Sequence, residues 1–156
     1  MALSACGGQS VEQPERTGPA PPAEWPLYQA HCGYSFRGPA DLREIPSQRV
    51  DSCVEMFATA ACNLQSEFGC CSNPRLDESA DRAEYRSSSI VVDGMEARLV
   101  TWRAKVNPQL DYAAAIHFPS VVLGEKNAAK LTLLAGCATV AARDEIVTLL
   151  WSIRFP

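Results

Sequence analysis

Positive charge is scarce in this chain of 156 residues, and it is nowhere concentrated. Lysine and arginine number 14 against 18 aspartates and glutamates, which leaves a net charge of −4. Nucleic-acid binding normally needs a basic patch or stripe, so we expect no nucleic-acid partner. Apolar runs are also short, and none approaches the roughly 18 residues that a membrane-spanning helix needs. The composition, 47% hydrophobic and 21% charged, is that of an ordinary folded domain.

Signatures of cofactor and metal chemistry are missing as well. The sequence has no Cys-x-x-Cys pair, which excludes a thioredoxin-type redox site and a zinc ribbon, and no glycine-rich phosphate loop. His31 and His117 are the only histidines and lack the spacing of a metal motif. We therefore expect no metal site and no cofactor, and we assign no catalytic residue. Asp51, Glu55 and Glu67 are candidate carboxylates, but no motif brings two of them together, and we expect them on the solvated surface.

Cysteine, by contrast, is abundant: the chain has seven, a high number for a protein of the reducing cytoplasm. The count is odd, and setting Cys6 aside leaves six that can form three disulfides: Cys32, Cys53, Cys62, Cys70, Cys71 and Cys137. Their spacing leaves the pairing open. The adjacent Cys70 and Cys71 have a second interpretation as a reactive thiol or redox pair. No basic neighbour in the sequence favours a thiolate there, so structural disulfides are preferred.

The segment Leu3-Ser4-Ala5-Cys6 resembles the lipobox of bacterial lipoproteins, in which leucine and two small residues precede the cysteine that receives lipid. The resemblance implies that Cys6 is lipidated and anchors the chain in a membrane. Only Met1 and Ala2 precede the motif, so this interpretation expects a longer signal peptide in the natural chain. Gly7, in place of an aspartate, implies by family habit the outer membrane, facing the periplasm. Secretion without an anchor is the alternative.

Residues 7–26 are rich in proline and contain almost no aliphatic side chains. Such a composition buries too little apolar surface to offset the entropy of ordering the chain. We therefore predict that residues 1–26 are the lipobox and a disordered, proline-rich tether, and that residues 27–156 form a single domain. Trp25 is an exception in this tether, and we expect its ring to dock on the domain or to contact a partner.

Apolar periodicities in residues 27–156 predict short strands and two helices. Strands are expected at 32–36, 42–45, 62–68, 112–118 and 130–137, and Asp93-Gly94 lies between two β-prone runs, as a type I′ hairpin requires. A C-terminal helix is expected from about Val140, with Thr139 as its N-cap. Another helix is predicted over residues 50–61 from the helical spacing of Val50, Val54, Phe57, Ala58 and Ala61. The expected fold class is α+β, an antiparallel sheet flanked by helices.

The order of these pieces resembles PsbP-like and DcrB-like domains, many of which are bacterial lipoproteins. The resemblance rests on GYSFRGP, VDSCVEMF, EFGCCSN, GMEARLVTW and EIVTLLWSIRF, and it covers roughly residues 28–155. It implies an α-β-α sandwich. The family has no common enzymatic activity, and its members act as assembly factors or adaptors.

Together these features predict a lipid-anchored protein of the cell envelope that binds or assembles other proteins rather than acting as an enzyme. Its expected partners are the membrane, through lipid on Cys6, and a second envelope protein. The alternative function is a redox or other thiol enzyme of the envelope that uses Cys70 or Cys71. The sequence leaves the oligomeric state open.

Overall fold

The computed structural model describes residues 17–47, 52–69, 76, 82–104, 109–123 and 127–156. Strands dominate these ranges. They are β1 (Leu27–Gln29), β2 (Ser35–Arg37), β3 (Arg43–Ile45), β4 (Cys53–Ala58), β5 (Cys62–Gly69), β6 (Ala83–Val92), β7 (Met95–Arg103), β8 (Tyr112–Val121) and β9 (Ala129–Cys137), followed by one helix, α1 (Val140–Trp151). The first two strands form a small hairpin. The others form one antiparallel sheet in the order β3-β4-β5-β9-β8-β7-β6.

The predicted α+β sandwich, with helices flanking an antiparallel sheet, is wrong. The described part of the chain is mostly β, and its one helix packs against β8 and β9 from a single side. No helix among these residues is long and apolar enough to cross a membrane.

Strand β4 occupies the place where we predicted a helix, and a polar residue in the core explains the error. Successive strand residues point to opposite faces, so Cys53, Glu55 and Phe57 share the face toward the core. Glu55 is fully buried there, where an alternating pattern would call for an apolar residue. The carboxylate thus interrupts the period-2 pattern, and the remaining apolar residues fall by chance at helical intervals. Asp51, one of the three candidate carboxylates, lies outside the described residues.

The hairpin and most of the other predicted strands are confirmed. Asp93 and Gly94 form the two-residue turn between β6 and β7, with φ of 51° and 76°, as a type I′ turn requires. Strands β3, β5, β8 and β9 overlap the predicted segments. The segment 32–36 was predicted as a strand throughout, but β2 begins only at Ser35, after a turn at Gly33 with φ of 102°.

The C-terminal helix is confirmed together with its N-cap. Thr139 has an extended backbone, and its hydroxyl accepts a hydrogen bond from the Ala142 N–H at 3.1 Å. The helix residues Ile146, Leu149 and Leu150 are buried on the side that faces the sheet, and they are part of the main core. The helix therefore covers the centre of the sheet with the apolar stripe that the sequence shows.

The sheet has a core on each face. The larger one lies between the sheet and α1, and alternate residues of β8 point into it: Ala114, Ile116 and Phe118. The intervening residues Ala113 and Ala115 point to the opposite face and join a smaller cluster with Leu76, Val100 and Trp102. Because both faces of β8 are covered, this strand is buried on both sides.

Part of the predicted tether lies against the domain. The Trp25 ring packs on the main core, and the Trp25 carbonyl accepts a hydrogen bond from Arg37 at 2.8 Å. A Cβ placed on Gly18 would lie 1.9 Å from the Trp151 ring, so only glycine allows the backbone to approach this closely. Residues 17–26 therefore rest on the folded unit, and Trp25 docks as expected.

Candidate functional site

A turn between β1 and β2 lies over the core-facing side of β4 and is bonded to it. The turn spans residues 30–34, and its Cys32 forms a disulfide with Cys53 at the start of β4, with Cα atoms 5.7 Å apart. Gly33 adopts a positive φ here, which lets the chain reverse tightly. The disulfide therefore fixes two consecutive backbone N–H groups, those of His31 and Cys32, above the strand.

The Glu55 carboxylate accepts a hydrogen bond from each of these N–H groups. One carboxylate oxygen accepts from the His31 N–H at 2.6 Å, and the other accepts from the Cys32 N–H at 3.3 Å. The side chain has no exposed surface, which contradicts our expectation that Glu55 is a solvated carboxylate. Hydrogen bonds to a charged acceptor are stronger than neutral ones, so two donated N–H groups compensate part of the cost of burial.

Two further side-chain atoms that can ligate a metal ion lie beside this carboxylate. The imidazole Nε2 of His31 is 3.3 Å from a carboxylate oxygen of Glu44, which is carried by the neighbouring strand β3. One nitrogen or oxygen atom from each side chain of His31, Glu44 and Glu55 can act as a metal ligand, and these atoms all lie within 4.8 Å of one another. The side chains of His31 and Glu44 are 57% and 44% exposed. We call these three residues the corner cluster. It has one buried member and two that face solvent.

Behind Glu55 the core contains two more polar groups. Ser66 on β5 is the register partner of Glu55, and Tyr34 is the last residue of the turn. Both hydroxyls are enclosed, and neither meets a hydrogen-bond partner with ordinary geometry. Burial raises the pKa of Tyr34 well above its usual value; Ser66 lies near enough to oppose this, and the charge of Glu55 adds to it. Tyr34 is therefore a neutral phenol, buried near Ser66 and Glu55.

The second disulfide lies elsewhere in the main core. Cys62 and Cys137 are register partners on β5 and β9, and the bond joins residues 75 positions apart in sequence. The predicted disulfide bonding is thus confirmed for two pairs, whose connectivity the sequence left open. Cys6, Cys70 and Cys71 lie outside the described residues. The structural-disulfide interpretation of Cys70 and Cys71 therefore stays a prediction. The thiol-enzyme alternative stays a prediction.

The remaining sequence candidates do not converge on the corner cluster. His117 lies on the opposite face of the sheet, where its Nδ1 is 2.8 Å from the Thr132 hydroxyl. Burial and, to a smaller extent, the charge of Lys130 lower the pKa of His117. Glu67 is half-buried and accepts a hydrogen bond from Ser52 at 3.4 Å. Each of these residues therefore has a local structural role.

The sequence analysis did not identify Glu44, and it placed Glu55 on the solvated surface although its side chain is buried. Had β4 been recognised as a strand, a charged residue at one of its core-facing positions would have marked Glu55 as a candidate functional residue. No protein-family model matches the chain, and no curated protein sequence is significantly similar to it.

Proposed function

We propose that this protein is a lipid-anchored domain of the bacterial cell envelope that binds another envelope protein. The observation that carries the proposal is the pair of disulfides in the folded core, Cys32–Cys53 and Cys62–Cys137. Disulfides persist in oxidising compartments and are rare in the cytoplasm, so these bonds are typical of an exported protein.

Cys6 supplies the anchor in this proposal. It follows a lipobox-like segment and is separated from the first described residue by residues 7–16. A single acyl chain holds a protein at a membrane only weakly, whereas two or more make a stable anchor. A multiply acylated Cys6 would therefore confine the domain to one membrane surface. This confinement raises its effective concentration toward other proteins of that membrane.

The surface that we assign to the partner is the sheet face opposite α1, over β4, β5 and β9. Met56, Gln65 and Leu134 form a row across these strands, with Leu134 40% exposed and Gln65 exposed. Apolar side chains beside an amide are the mixture found at protein interfaces, where methionine is enriched. We expect the partner to present a matching apolar patch with hydrogen-bonding groups at its rim.

Site-specific photo-crosslinking in bacterial cells tests this proposal. The full chain, exported behind a lipoprotein signal peptide, carries a photoreactive residue at Gln65 and is irradiated before membranes are isolated. We expect the protein in the membrane fraction, with a cross-linked product of discrete mass. The matched control places the same group at Glu145, which is exposed on α1. We expect no discrete product there.

The Cys6→Ser variant separates anchoring from binding. We expect this variant to leave the membrane fraction and to lose most of the product from Gln65. Equal cross-linking from Gln65 and Glu145 would contradict the assigned surface. Retention of the Cys6→Ser variant in the membrane fraction would contradict the anchor.

A further inference from the structure

We infer that the corner cluster of His31, Glu44 and Glu55 binds one divalent transition-metal ion, with Zn²⁺ as the best-matched ion. This inference goes beyond the proposed function and does not depend on it, because the three residues belong to the folded domain and not to the anchor. It also replaces our expectation, drawn from sequence spacing alone, that the chain has no metal site.

The spacing of the donor atoms supports the inference. Zn²⁺ is bound by imidazole nitrogen and carboxylate oxygen at about 2.0–2.2 Å, so two neighbouring ligand atoms on a tetrahedral ion are about 3.3–3.6 Å apart. The Nε2 of His31 and the carboxylate oxygen of Glu44 are 3.3 Å apart. A carboxylate oxygen of Glu55 lies within 4.8 Å of both. The two exposed side chains can close this gap by small rotations, since solvent and not packed core surrounds them.

The electrostatic setting of Glu55 also points to a cation. Its carboxylate is fully buried, and among the described residues it is paired with backbone N–H groups and with no lysine or arginine. An ionised carboxylate has about four lone-pair sites on its two oxygens, so each oxygen keeps capacity for a further contact. Buried charges in proteins are paired or coordinate metals. A metal ion at the corner cluster would supply the missing positive charge.

An independent observation comes from the polar groups around this carboxylate. Glu55 occupies a core-facing strand position where local sequence rules call for an apolar residue, and such violations concentrate at functional sites. Tyr34 and Ser66, whose buried hydroxyls have no partner with ordinary geometry, lie beside it. Buried polar groups without ordinary partners are rare in folded proteins, and a bound ion is one of the explanations for them.

The donor set indicates which ion is preferred. One imidazole and two carboxylates suit Zn²⁺ and its first-row neighbours, whereas Ca²⁺ takes six to eight oxygen ligands, on the order of twice what this cluster offers. The side chains of His31 and Glu44 are each about half exposed, so the ion would complete its coordination with solvent water. Three protein ligands and an open position allow the ion to exchange or to bind a further ligand.

The test is a Zn²⁺ titration by isothermal calorimetry on the full chain. The protein is first alkylated without reduction, so that free thiols, including any at Cys6, Cys70 and Cys71, cannot bind the metal. We expect one equivalent of Zn²⁺ to bind and Ca²⁺ to give no saturable heat. Co²⁺, displaced by Zn²⁺, supplies a second readout through its visible absorption.

Variants connect binding to the cluster. His31→Ala and Glu44→Gln remove exposed donors and should each weaken Zn²⁺ binding at least about tenfold, since even outer-shell partners of metal ligands change affinity by 10- to 100-fold. His117→Ala is the matched control, because it removes the other histidine from the opposite face of the sheet. We expect it to leave the affinity unchanged. Glu55→Gln should also weaken binding, with circular dichroism confirming that the variant is folded.

Three results would overturn the inference. The first is absence of stoichiometric Zn²⁺ binding to the folded, alkylated chain, which would leave His31 and Glu44 as a side-chain contact only. The second is undiminished affinity in both His31→Ala and Glu44→Gln. The third is loss of binding in His117→Ala, which would place the ion on the other face of the sheet.

Discussion

Replacing both Cys62 and Cys137 by alanine is expected to lower the free energy of unfolding by about 4 kcal/mol. The bond joins residues 75 positions apart, so it removes more freedom from the unfolded chain than a short-range bond does. It also lies in the main core, where both cysteines are buried. Denaturant unfolding without reductant measures the loss, which is a large share of the stability of a single domain.

The Cys32→Ala/Cys53→Ala double variant is the comparison for this prediction. Its bond joins residues 21 positions apart, and the same relation gives a loss of about 3 kcal/mol. We therefore expect both variants to be destabilised, with the Cys62–Cys137 variant the weaker. A reversed order, or a loss below about 1 kcal/mol for the Cys62–Cys137 variant, would show that this bond does not constrain the unfolded chain as described.

The second large effect is expected at Glu55. Glu55→Ala leaves the N–H groups of His31 and Cys32 without their acceptor inside the protein, and each unsatisfied buried donor costs about 1–3 kcal/mol. We expect a loss of about 3 kcal/mol in the free energy of unfolding, measured with denaturant. Amide hydrogen exchange should also become faster at His31 and Cys32, because the turn loses its attachment to β4.

Glu67→Ala is the control for this substitution. Glu67 lies on β5, one strand away, but it is half-buried, and among the described residues it accepts a long side-chain hydrogen bond from Ser52. We expect its removal to change stability by no more than about 0.5 kcal/mol, as for most surface substitutions. A Glu55→Ala loss no larger than that of Glu67→Ala would contradict the role of Glu55 as the acceptor that holds the turn.

Local signals in the sequence predicted the elements whose causes are local. The Asp93-Gly94 turn is specified by two residues that tolerate a positive φ, and α1 by a single cap and an apolar stripe. Strands β5, β8 and β9 follow from alternation within each segment. In all of these the decisive interactions lie within a few positions along the chain, so periodicity alone is informative.

The corner cluster and the fold class could not be predicted in this way. His31 meets Glu55 across 24 positions of sequence, and the contact exists only because the β1–β2 turn folds over β4. The same buried carboxylate hid the strand pattern of β4, which led to the predicted helix and so to the α+β assignment. The residue that misled the fold prediction is thus the one around which the candidate site is built.

We propose an exported, disulfide-bonded domain anchored through Cys6, and an intact mass measurement tests this proposal most directly. The full chain is recovered from bacterial membranes and alkylated without reduction. We predict added acyl mass on Cys6 and no alkyl group on Cys32, Cys53, Cys62 or Cys137. Alkylation of Cys6, or of either partner in the Cys62–Cys137 pair, would contradict this account.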